Sequence, residues 1–372
     1  MTQQTTAIAM SGGADSLFTL VLMKEKGEKV VALHARFIDV EEGKDPVPKL
    51  EKVCAEHGVE LHVVDCREAF EEKVVKPFVA EYQAGRTPNP CARCNASMKF
   101  GLLMDAAEKI GAERIATGHY AKVVERDKGS VALMKGVDPV KDQSYFLSLV
   151  PQERLAKVSM PLGDWCKKDV YGELEKRGVT PPIPSESQEI CFVPNDDYRA
   201  FLEARPEKLG SEGPVLFTDG KRIAKHTGLW KYTEGQRRGL GIAWSEPLYV
   251  IEKNMEKNTL MVGTKDALMV TACTAHEINM LVPFENWPQE VLVRTRYRQH
   301  ASPARVEMLE TSCHSDGKAH GATQEEPHGE LKLMAHFHEP IQPPALGQVL
   351  AVFDTEGRVL AGGIISKNHA VA

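Results

Sequence analysis

The chain has 372 residues, of which 42% are hydrophobic and 26% charged, and its formal net charge is −6. This length exceeds one ordinary core, so we expect two or three domains of a soluble globular protein. The sequence has no apolar run that could span a bilayer and no secretory start, so we expect a cytoplasmic protein without a membrane partner. The acidic balance excludes a generally basic surface, so a nucleic acid would have to be held by local patches.

A glycine-rich turn near the start of the chain is the clearest functional signal. Residues 11–16 read SGGADS, follow the apolar run 7–10 and open the amphipathic stretch 17–26. A turn between a buried strand and a helix presents backbone N–H groups and the positive end of the helix dipole to an anion. The pattern is neither GxxxxGK[ST] nor GxGxxG. It predicts a site for a nucleotide's phosphates, and the plain alternative is a tight turn with a serine cap.

Up to about residue 120, apolar runs alternate with helical patterns. The runs are 7–10, 29–33, 60–64 and 114–117, and the helical patterns include 50–57 and 99–110. This alternation predicts an α/β fold with a doubly wound parallel sheet, which binds ligands at the carboxyl ends of its strands. Because the glycine-rich turn and residues 117–120 both follow such strands, we expect them to lie together in one pocket.

The character of the sequence changes beyond about residue 195. A Pro/Ser-rich linker at 181–187 is followed by a short helix near 197–204 and then by short strands such as 248–252, 259–263, 291–297, 332–337 and 348–354. These strands predict small β-barrel or sandwich modules. We expect domains at 1–195, 196–270 and 271–372, with a polar loop insertion near 311–330. Its Cys313, His314, His320 and His328 match no common metal-site spacing, so we expect no metal there.

Eight cysteines in a long chain point to chemistry or plain burial and argue against structural disulfides. Cys91 and Cys94 form a CxxC motif after two prolines, and a helix N-terminus there favours thiolates, so both are reactive candidates. A turn with incidental cysteines is the alternative. Cys191 follows the linker. We expect the remaining cysteines before the insertion to be small buried hydrophobes: Cys54, Cys66, Cys166 and Cys273.

Two basic segments offer local positive charge. Arg294, Arg296 and Arg298 alternate with Thr295 and Tyr297, so on a strand their guanidinium groups would face one side. Such a stripe would bind RNA phosphates, and the tyrosine could stack nearby. Residues 221–238 are also rich in lysine and arginine. A solvated strand face is the alternative for each segment.

Ordered motifs through nearly the whole chain then give a specific resemblance. SGGxDS is followed by TPNPxxxCN with KFG, ATGHYA, KDQSYFL, ICF, GQRRGLGI, TRYRQ and the terminal GGII. In this order they resemble the bacterial tRNA-specific 2-thiouridylases, members of the pyrophosphate-loop ATPase group. The resemblance implies a nucleotide domain, a small central domain and a C-terminal β-barrel. It also implies that ATP adenylates the C2 oxygen of the wobble uridine in tRNAs for lysine, glutamate and glutamine, and that a sulfur nucleophile displaces AMP.

The resemblance also implies roles for individual residues. ATP would be held by Ala9, Met10, Ser11, Gly12, Gly13, Ala14, Asp15, Ser16, Ala35 and Gly118. Cys94 would be the nucleophile, Cys191 would carry the persulfide sulfur, and the two would form a disulfide in the reaction. The tRNA would contact His119, Lys141, Asp142, Gln143, Arg296, Tyr297 and Gln348. Mg²⁺ would accompany ATP, with Asp15 as a ligand or, alternatively, only a helix-cap carboxylate. A cysteine desulfurase and a small sulfur carrier would supply sulfur.

One position departs from a common form of that family, in which an aspartate stands where this chain has Cys91. Two sulfur routes stay open. In one, Cys191 and Cys94 form a persulfide relay. In the other, Cys91, Cys94 and Cys191 hold a [4Fe-4S] cluster whose open iron binds sulfide. Two further functions are weighed against thiolation: another pyrophosphate-loop ligase that uses ammonia, and a tRNA-binding Fe–S redox protein with a regulatory nucleotide site.

Overall fold

A computed structural model describes residues 4–40, 45–126, 129–183, 190–310 and 331–370. The helices are α1 Ala14–Glu25, α2 Val47–Glu56, α3 Arg67–Phe70, α4 Lys76–Gln83, α5 Pro90–Cys94, α6 Leu103–Lys109, α7 Ser144–Leu147, α8 Gln152–Leu155, α9 Lys167–Lys176 and α10 Tyr198–Glu203. The strands are β1 Thr5–Ala9, β2 Lys29–Arg36, β3 Leu61–Asp65, β4 Arg114–Ala116, β5 Ala121–Glu125, β6 Val131–Lys135, β7 Val158–Ser159, β8 Gly213–Phe217, β9 Arg222–His226, β10 Tyr249–Asn254, β11 Thr259–Gly263, β12 Val270–Met280, β13 Val291–Arg294, β14 Ser302–Glu310, β15 Leu331–Ile341, β16 Val349–Phe353 and β17 Val359–Ala370.

The N-terminal part is built on a five-stranded parallel sheet in the order β3-β2-β1-β4-β7. Its central strands are apolar and fully buried, as at Ala7, Ile8 and Ile115, because helices cover both faces. The predicted doubly wound α/β sheet is therefore confirmed. Strand order reverses between β1 and β4, and such a reversal opens a crevice at the carboxyl edge where ligands bind.

The helical path after the CxxC motif differs from the prediction. The periodicity indicated one helix over 99–110, whereas α5 runs directly into a π-helix, Asn95–Leu102, and then into α6. A π-helix widens the turn and shifts the direction of side chains, and such segments are frequent at functional sites. The wider turn occurs in the segment that carries Lys99, at the carboxyl edge of the sheet.

The rest of the described chain is mainly antiparallel. Strands β5 and β6 form a hairpin, and β10, β11, β8 and β9 form a four-stranded sheet in that order. Strands β12 to β17 close a six-stranded antiparallel barrel, so the predicted C-terminal β-barrel is confirmed. The domain boundaries at 195 and 270 stay predictions. The insertion 311–330, with its cysteine and histidines, lies outside the described residues, as do 184–187 of the linker.

The predicted arginine stripe is wrong. Strand β13 ends at Arg294, so the alternation needed to place Arg294, Arg296 and Arg298 on one face does not continue. The Arg294 guanidinium donates to the buried Asp142 at 3.1 Å and to the carbonyl of Tyr297. The contact with Tyr297 turns the chain back after β13. The contact with Asp142 joins the barrel to the N-terminal part, so Arg294 is not part of a free basic strand.

The barrel packs directly on the N-terminal α/β part of the chain. Tyr145 of α7 is fully buried, and its hydroxyl donates to the carbonyl of Val349 in β16 at 3.0 Å. A Cβ on Gly362 of β17 would lie 2.5 Å from the carbonyl oxygen of Ser148, so only glycine allows this approach of two backbones. One hydrophobic cluster contains residues from both parts. The barrel therefore helps to set the geometry of the sheet's carboxyl edge. Within the described residues, no helix is long and apolar enough to cross a bilayer.

Candidate active site

The glycine-rich turn forms the tight loop that the sequence predicts. Gly12 has φ +92°, a left-handed conformation that favours glycine, and Gly13 is the N-cap of α1. The Ser16 hydroxyl donates to the carbonyl of Gly13 at 2.9 Å and contacts the Ser11 hydroxyl at 3.2 Å. The N–H groups of Ser11 and Gly13 donate to the Ser16 and Ser11 hydroxyls at 3.3 and 3.5 Å, so the loop is held in shape by its own side chains at the N-terminus of α1. A helix N-terminus of this kind is where phosphates would bind.

The two loops expected to share one pocket do meet. A Cβ on Gly118 would lie 2.9 Å from both the carbonyl carbon and the Cβ of Asp15, so the loop after β4 touches the start of α1. Two residues on, the Tyr120 hydroxyl donates to Asp15 Oδ1 at 2.6 Å. Ala35 lies near the end of β2, where the adjacent His34 ring contacts the carbonyl of Met10 at 2.8 Å. The nucleotide-binding candidates therefore share one edge of the sheet.

Lys167 is a site residue that sequence reasoning missed. Its ammonium group donates to Asp15 Oδ1 at 2.7 Å and to Oδ2 at 2.8 Å, although 152 residues separate them. Lys167 begins α9 and is almost wholly buried. The available signal was its position soon after β7, another strand of the same parallel sheet. A buried cation beside the glycine-rich loop would stabilise phosphate oxygens, and Asp15 holds it in place.

The cysteine candidates lie at the same edge. Asn89 caps α5 by accepting a hydrogen bond from the N–H of Ala92 at 3.2 Å, which places Cys91 in the first turn and Cys94 at the end. Cys91 and Cys191 are exposed, whereas Cys94 is buried. Every described cysteine is a free thiol. As predicted, Cys54, Cys66 and Cys273 are buried, while Cys166 is only partly so.

The expectation of thiolates near a helix N-terminus is wrong for the resting protein. Although Cys91 and Cys191 keep solvent-exposed surface, the protein packed around their sulfurs raises the pKa of both, and burial raises the pKa of Cys94 to about 12. The Lys99 ammonium lowers the pKa of all three thiols but does not offset burial. A helix of five residues has a weak dipole, so desolvation decides the direction. The three thiols and Lys99 form one electrostatic group.

His119 connects this group to the nucleotide loop. It is buried, and burial together with Lys99 holds its pKa well below the ordinary value, so the ring is neutral. Its Nδ1 lies 2.8 Å from the Thr117 hydroxyl, and its Nε2 lies 3.5 Å from Lys99 Nζ. The neutral ring can accept a hydrogen bond from the ammonium group at Nε2 when Nδ1 carries the hydrogen. Residues 117–120 thus touch Asp15 on one side and Lys99 on the other.

Substitution of Lys99 by methionine is expected to slow alkylation of Cys91, Cys94 and Cys191 several-fold at pH 8, because only the thiolate reacts and its nearest cation is lost. The pH profile of alkylation should move to higher pH, since the pKa of each thiol rises further. Iodoacetamide labelling with peptide mass spectrometry measures this rate for each thiol. Lys157→Met, which removes an exposed partner of Glu108, is the control. An unchanged profile in the Lys99 variant would contradict the assignment.

The residues expected to contact tRNA lie around this edge, but several already have internal partners. Asp142 is buried and accepts from the Ser144 and Gly136 N–H groups at 3.1 Å. Gln143 Oε1 accepts from the N–H of Tyr120. Three more residues join parts of the fold: Arg296 donates to the carbonyls of Glu234 and Pro343, Gln348 donates to those of Thr87 and Pro88, and the ring of Tyr297 lies 4.4 Å from that of Phe146. Direct contact of these residues with tRNA stays a prediction.

The thiols as placed do not fit a metal cluster. In the parts of the chain that the structure describes, no three side chains of His, Cys, Asp or Glu are grouped so that they could hold a metal ion. A [4Fe-4S] cluster would need the sulfurs of Cys91, Cys94 and Cys191 to converge on one centre.

Comparison with known proteins places the chain in a family. Residues 4–195 match a family described as the tRNA methyl transferase HUP domain, and residues 199–264 match the tRNA methyl transferase PRC-barrel domain. The tRNA-specific 2-thiouridylase MnmA of Nitratidesulfovibrio vulgaris strain DP4 is 57% identical over 97% of this chain and 98% of that protein. The protein of the same name from Lawsonia intracellularis is 49% identical, over 97% of this chain and 99% of that one.

More distant relatives carry the same name. The Syntrophotalea carbinolica protein is 39% identical over 96% of this chain and 97% of its own length. A solved U34-tRNA thiolase NcsA from Methanococcus maripaludis with its [4Fe-4S] cluster overlaps 54% of this chain and 65% of that chain at 19% identity and a TM-score of 0.36, a likeness too low to bear on function. Identity over nearly the full length, together with both domain matches, decides the assignment. The chain belongs to the family of tRNA-specific 2-thiouridylases.

Proposed function

We propose that this protein 2-thiolates the wobble uridine of tRNAs for lysine, glutamate and glutamine, through an ATP-adenylated uridine and a cysteine persulfide. One observation carries the proposal: residues 117–120 contact both Asp15 of the nucleotide loop and Lys99, the cation that acts on the thiols of Cys91, Cys94 and Cys191. Activation of an oxygen and its replacement by sulfur need a nucleotide site and a sulfur site at the same base. This edge of the sheet offers both.

The first step activates the base. The C2 oxygen of the uridine attacks the α-phosphorus of ATP, a phosphorus–oxygen bond breaks, and pyrophosphate leaves. Loop N–H groups and Lys167 bind the departing phosphates, and Asp15 and Tyr120 orient Lys167 and the loop. Mg²⁺ bound with the triphosphate would neutralise part of its charge. The Asp15 carboxylate, which already accepts from Lys167 and Tyr120, would hold this cation through its remaining lone pairs, directly or through a water molecule.

Sulfur transfer then takes place through two successive nucleophilic attacks. The terminal sulfur of a Cys191 persulfide attacks C2, and AMP leaves with the oxygen, so the base is joined to Cys191 through a disulfide. The Cys94 thiolate attacks Cys191 Sγ, the bond to the outer sulfur breaks, and 2-thiouridine leaves. The product is a Cys94–Cys191 disulfide, which two electrons from a dithiol reductant return to thiols. Lys99 stabilises each thiolate as it forms.

The exposure of Cys191 supports an external sulfur donor. A cysteine desulfurase or a small carrier protein must bring its persulfide within bonding distance, and Cys191 is exposed whereas Cys94 is buried. We therefore assign sulfur loading to Cys191 and resolution to Cys94. Cys91 is exposed in the same electrostatic group and is not needed for the balance of this route.

The test is reconstitution with defined components. Purified protein, ATP, Mg²⁺, unmodified tRNA for lysine and a persulfide-loaded cysteine desulfurase should yield 2-thiouridine, AMP and pyrophosphate, measured by nucleoside mass spectrometry and phosphate assay. Iron is measured in the same anaerobic preparation. Thiolation by iron-free protein supports the persulfide route. Thiolation that requires about four irons per chain and is lost with iron in Cys91→Ser would instead establish the cluster route. Amidation of a substrate by ammonia, or no turnover with ATP, would favour the other functions.

A further inference from the structure

The CxxC helix is tied to the barrel through the residue between its cysteines. Arg93 Nη1 and Nη2 donate to the two carboxylate oxygens of Glu277, at 2.9 and 3.0 Å, across 184 residues of sequence. A two-pronged pair of this kind fixes the orientation of the guanidinium plane as well as its position. Because Arg93 lies between Cys91 and Cys94, this ion pair links the barrel strand to the helix that carries both thiols.

The backbone of the barrel strand is irregular at the partner residue. Glu277 lies in β12 with φ +50°, the left-handed region that a side chain other than glycine adopts at an energetic cost. The pairing of β12 with β17 shifts register between His276 and Asn279, which marks a bulge. A bulge turns a side chain away from the regular alternation of the strand. Here the turned side chain is the one that reaches Arg93.

Further contacts hold the chain just before α5. The Gln348 amide donates to the carbonyls of Thr87 and Pro88 at 2.8 and 3.1 Å, and the N–H of Thr87 donates to the carbonyl of Leu346 at 2.7 Å. The barrel thus contacts the CxxC segment before the helix and within it. Of these contacts, only the Arg93–Glu277 pair acts from between the two thiols.

We propose that Glu277 is a positioning residue for sulfur transfer, which acts through Arg93 to hold the CxxC helix in register with the nucleotide loop. Both side chains are partly exposed, with 27% and 47% of Arg93 and Glu277 accessible. An ion pair of that exposure contributes little to folding stability. The pair therefore acts by positioning the helix, because a small displacement of reacting atoms slows a reaction strongly. This inference rests on the proposed function.

Glu277→Gln, Arg93→Met and the exchange Arg93→Glu with Glu277→Arg test the pair. In each single variant kcat for thiolation should fall about tenfold, while the KM for tRNA and the amount of adenylated tRNA formed in the first turnover stay unchanged. The exchanged pair should regain most of the rate. Glu290→Gln, which removes the carboxylate of another barrel ion pair with Arg305, should retain the wild-type rate.

A second readout does not depend on turnover. Release of the helix should expose the buried Cys94, so its alkylation rate in the absence of tRNA should rise in Glu277→Gln and return to the wild-type value in the exchanged pair. If Glu277→Gln changes neither the alkylation rate of Cys94 nor kcat, the proposal is overturned. It is also overturned if the variant loses adenylation and thermal stability to the same extent as thiolation. If the wild-type protein forms no 2-thiouridine, the proposed function fails, while the alkylation result still decides whether Glu277 positions the helix.

Discussion

Asp15→Asn is expected to lower the rate of pyrophosphate release by a factor of about 10² to 10³, with tRNA affinity unchanged. The carboxylate of Asp15 fixes the Lys167 ammonium at 2.7 and 2.8 Å and accepts the Tyr120 hydroxyl at 2.6 Å. An amide can accept only at its oxygen and carries no charge, so the cation loses its fixed position beside the phosphates. Pyrophosphate release with ATP and unmodified tRNA measures the rate, and filter binding measures tRNA affinity.

Two companion variants sharpen this prediction. Lys167→Met should show a similar loss, because it removes the cation that Asp15 holds. Asp164→Asn, which removes the exposed carboxylate that pairs with Lys122, should retain the wild-type rate. Full turnover in Asp15→Asn would mean that the loop is only a structural turn. If the variant loses both tRNA binding and turnover, Asp15 supports the fold and not the reaction. If the nucleotide site is only regulatory, thiolation should stay intact in Asp15→Asn.

Cys191→Ser is expected to abolish thiolation while adenylated tRNA still forms, since a hydroxyl cannot carry a persulfide. Cys94→Ser should instead stop the reaction one step later. The base would remain joined to Cys191 through the outer sulfur, because no second thiolate attacks Cys191 Sγ. Non-reducing gel electrophoresis should then show a protein–tRNA adduct that a dithiol releases. In both variants 2-thiouridine should form at less than about one thousandth of the wild-type rate.

The matched control is Cys166→Ser, which removes the partly buried thiol at the N-cap of α9 and should leave thiolation unchanged. Cys91→Ser should also retain most of the activity in the persulfide route. A wild-type rate in Cys191→Ser would contradict the assignment of the persulfide to this residue. An adduct that forms equally in Cys191→Ser would show that another thiol receives the sulfur.

The sequence predicted the features that depend on a few neighbouring residues. The turn at 11–16 and strand β1 before it follow from local apolar patterning and from the conformational freedom of Gly12. The meeting of residues 117–120 with the glycine-rich turn was also predictable, because the carboxyl ends of parallel strands share one edge. The strand predicted at 291–297 is present but ends at Arg294, whose side chain turns back to the carbonyl of Tyr297, a contact that no alternation pattern contains.

By itself, then, the sequence determined the α/β sheet, the glycine-rich turn at its carboxyl edge and the C-terminal β-barrel, since each is set by patterns among neighbours in the chain. Only the tertiary structure decided which distant side chains contact these segments. Lys167 reaches Asp15 across 152 residues, Glu277 reaches Arg93 across 184, and Gln348 reaches Thr87 across 261. It also decided that burial outweighs the short helix at Cys94 and raises the pKa of its thiol. Desolvation and long-range ion pairs depend on what the fold packs around a group, and that information is absent from any short stretch of residues.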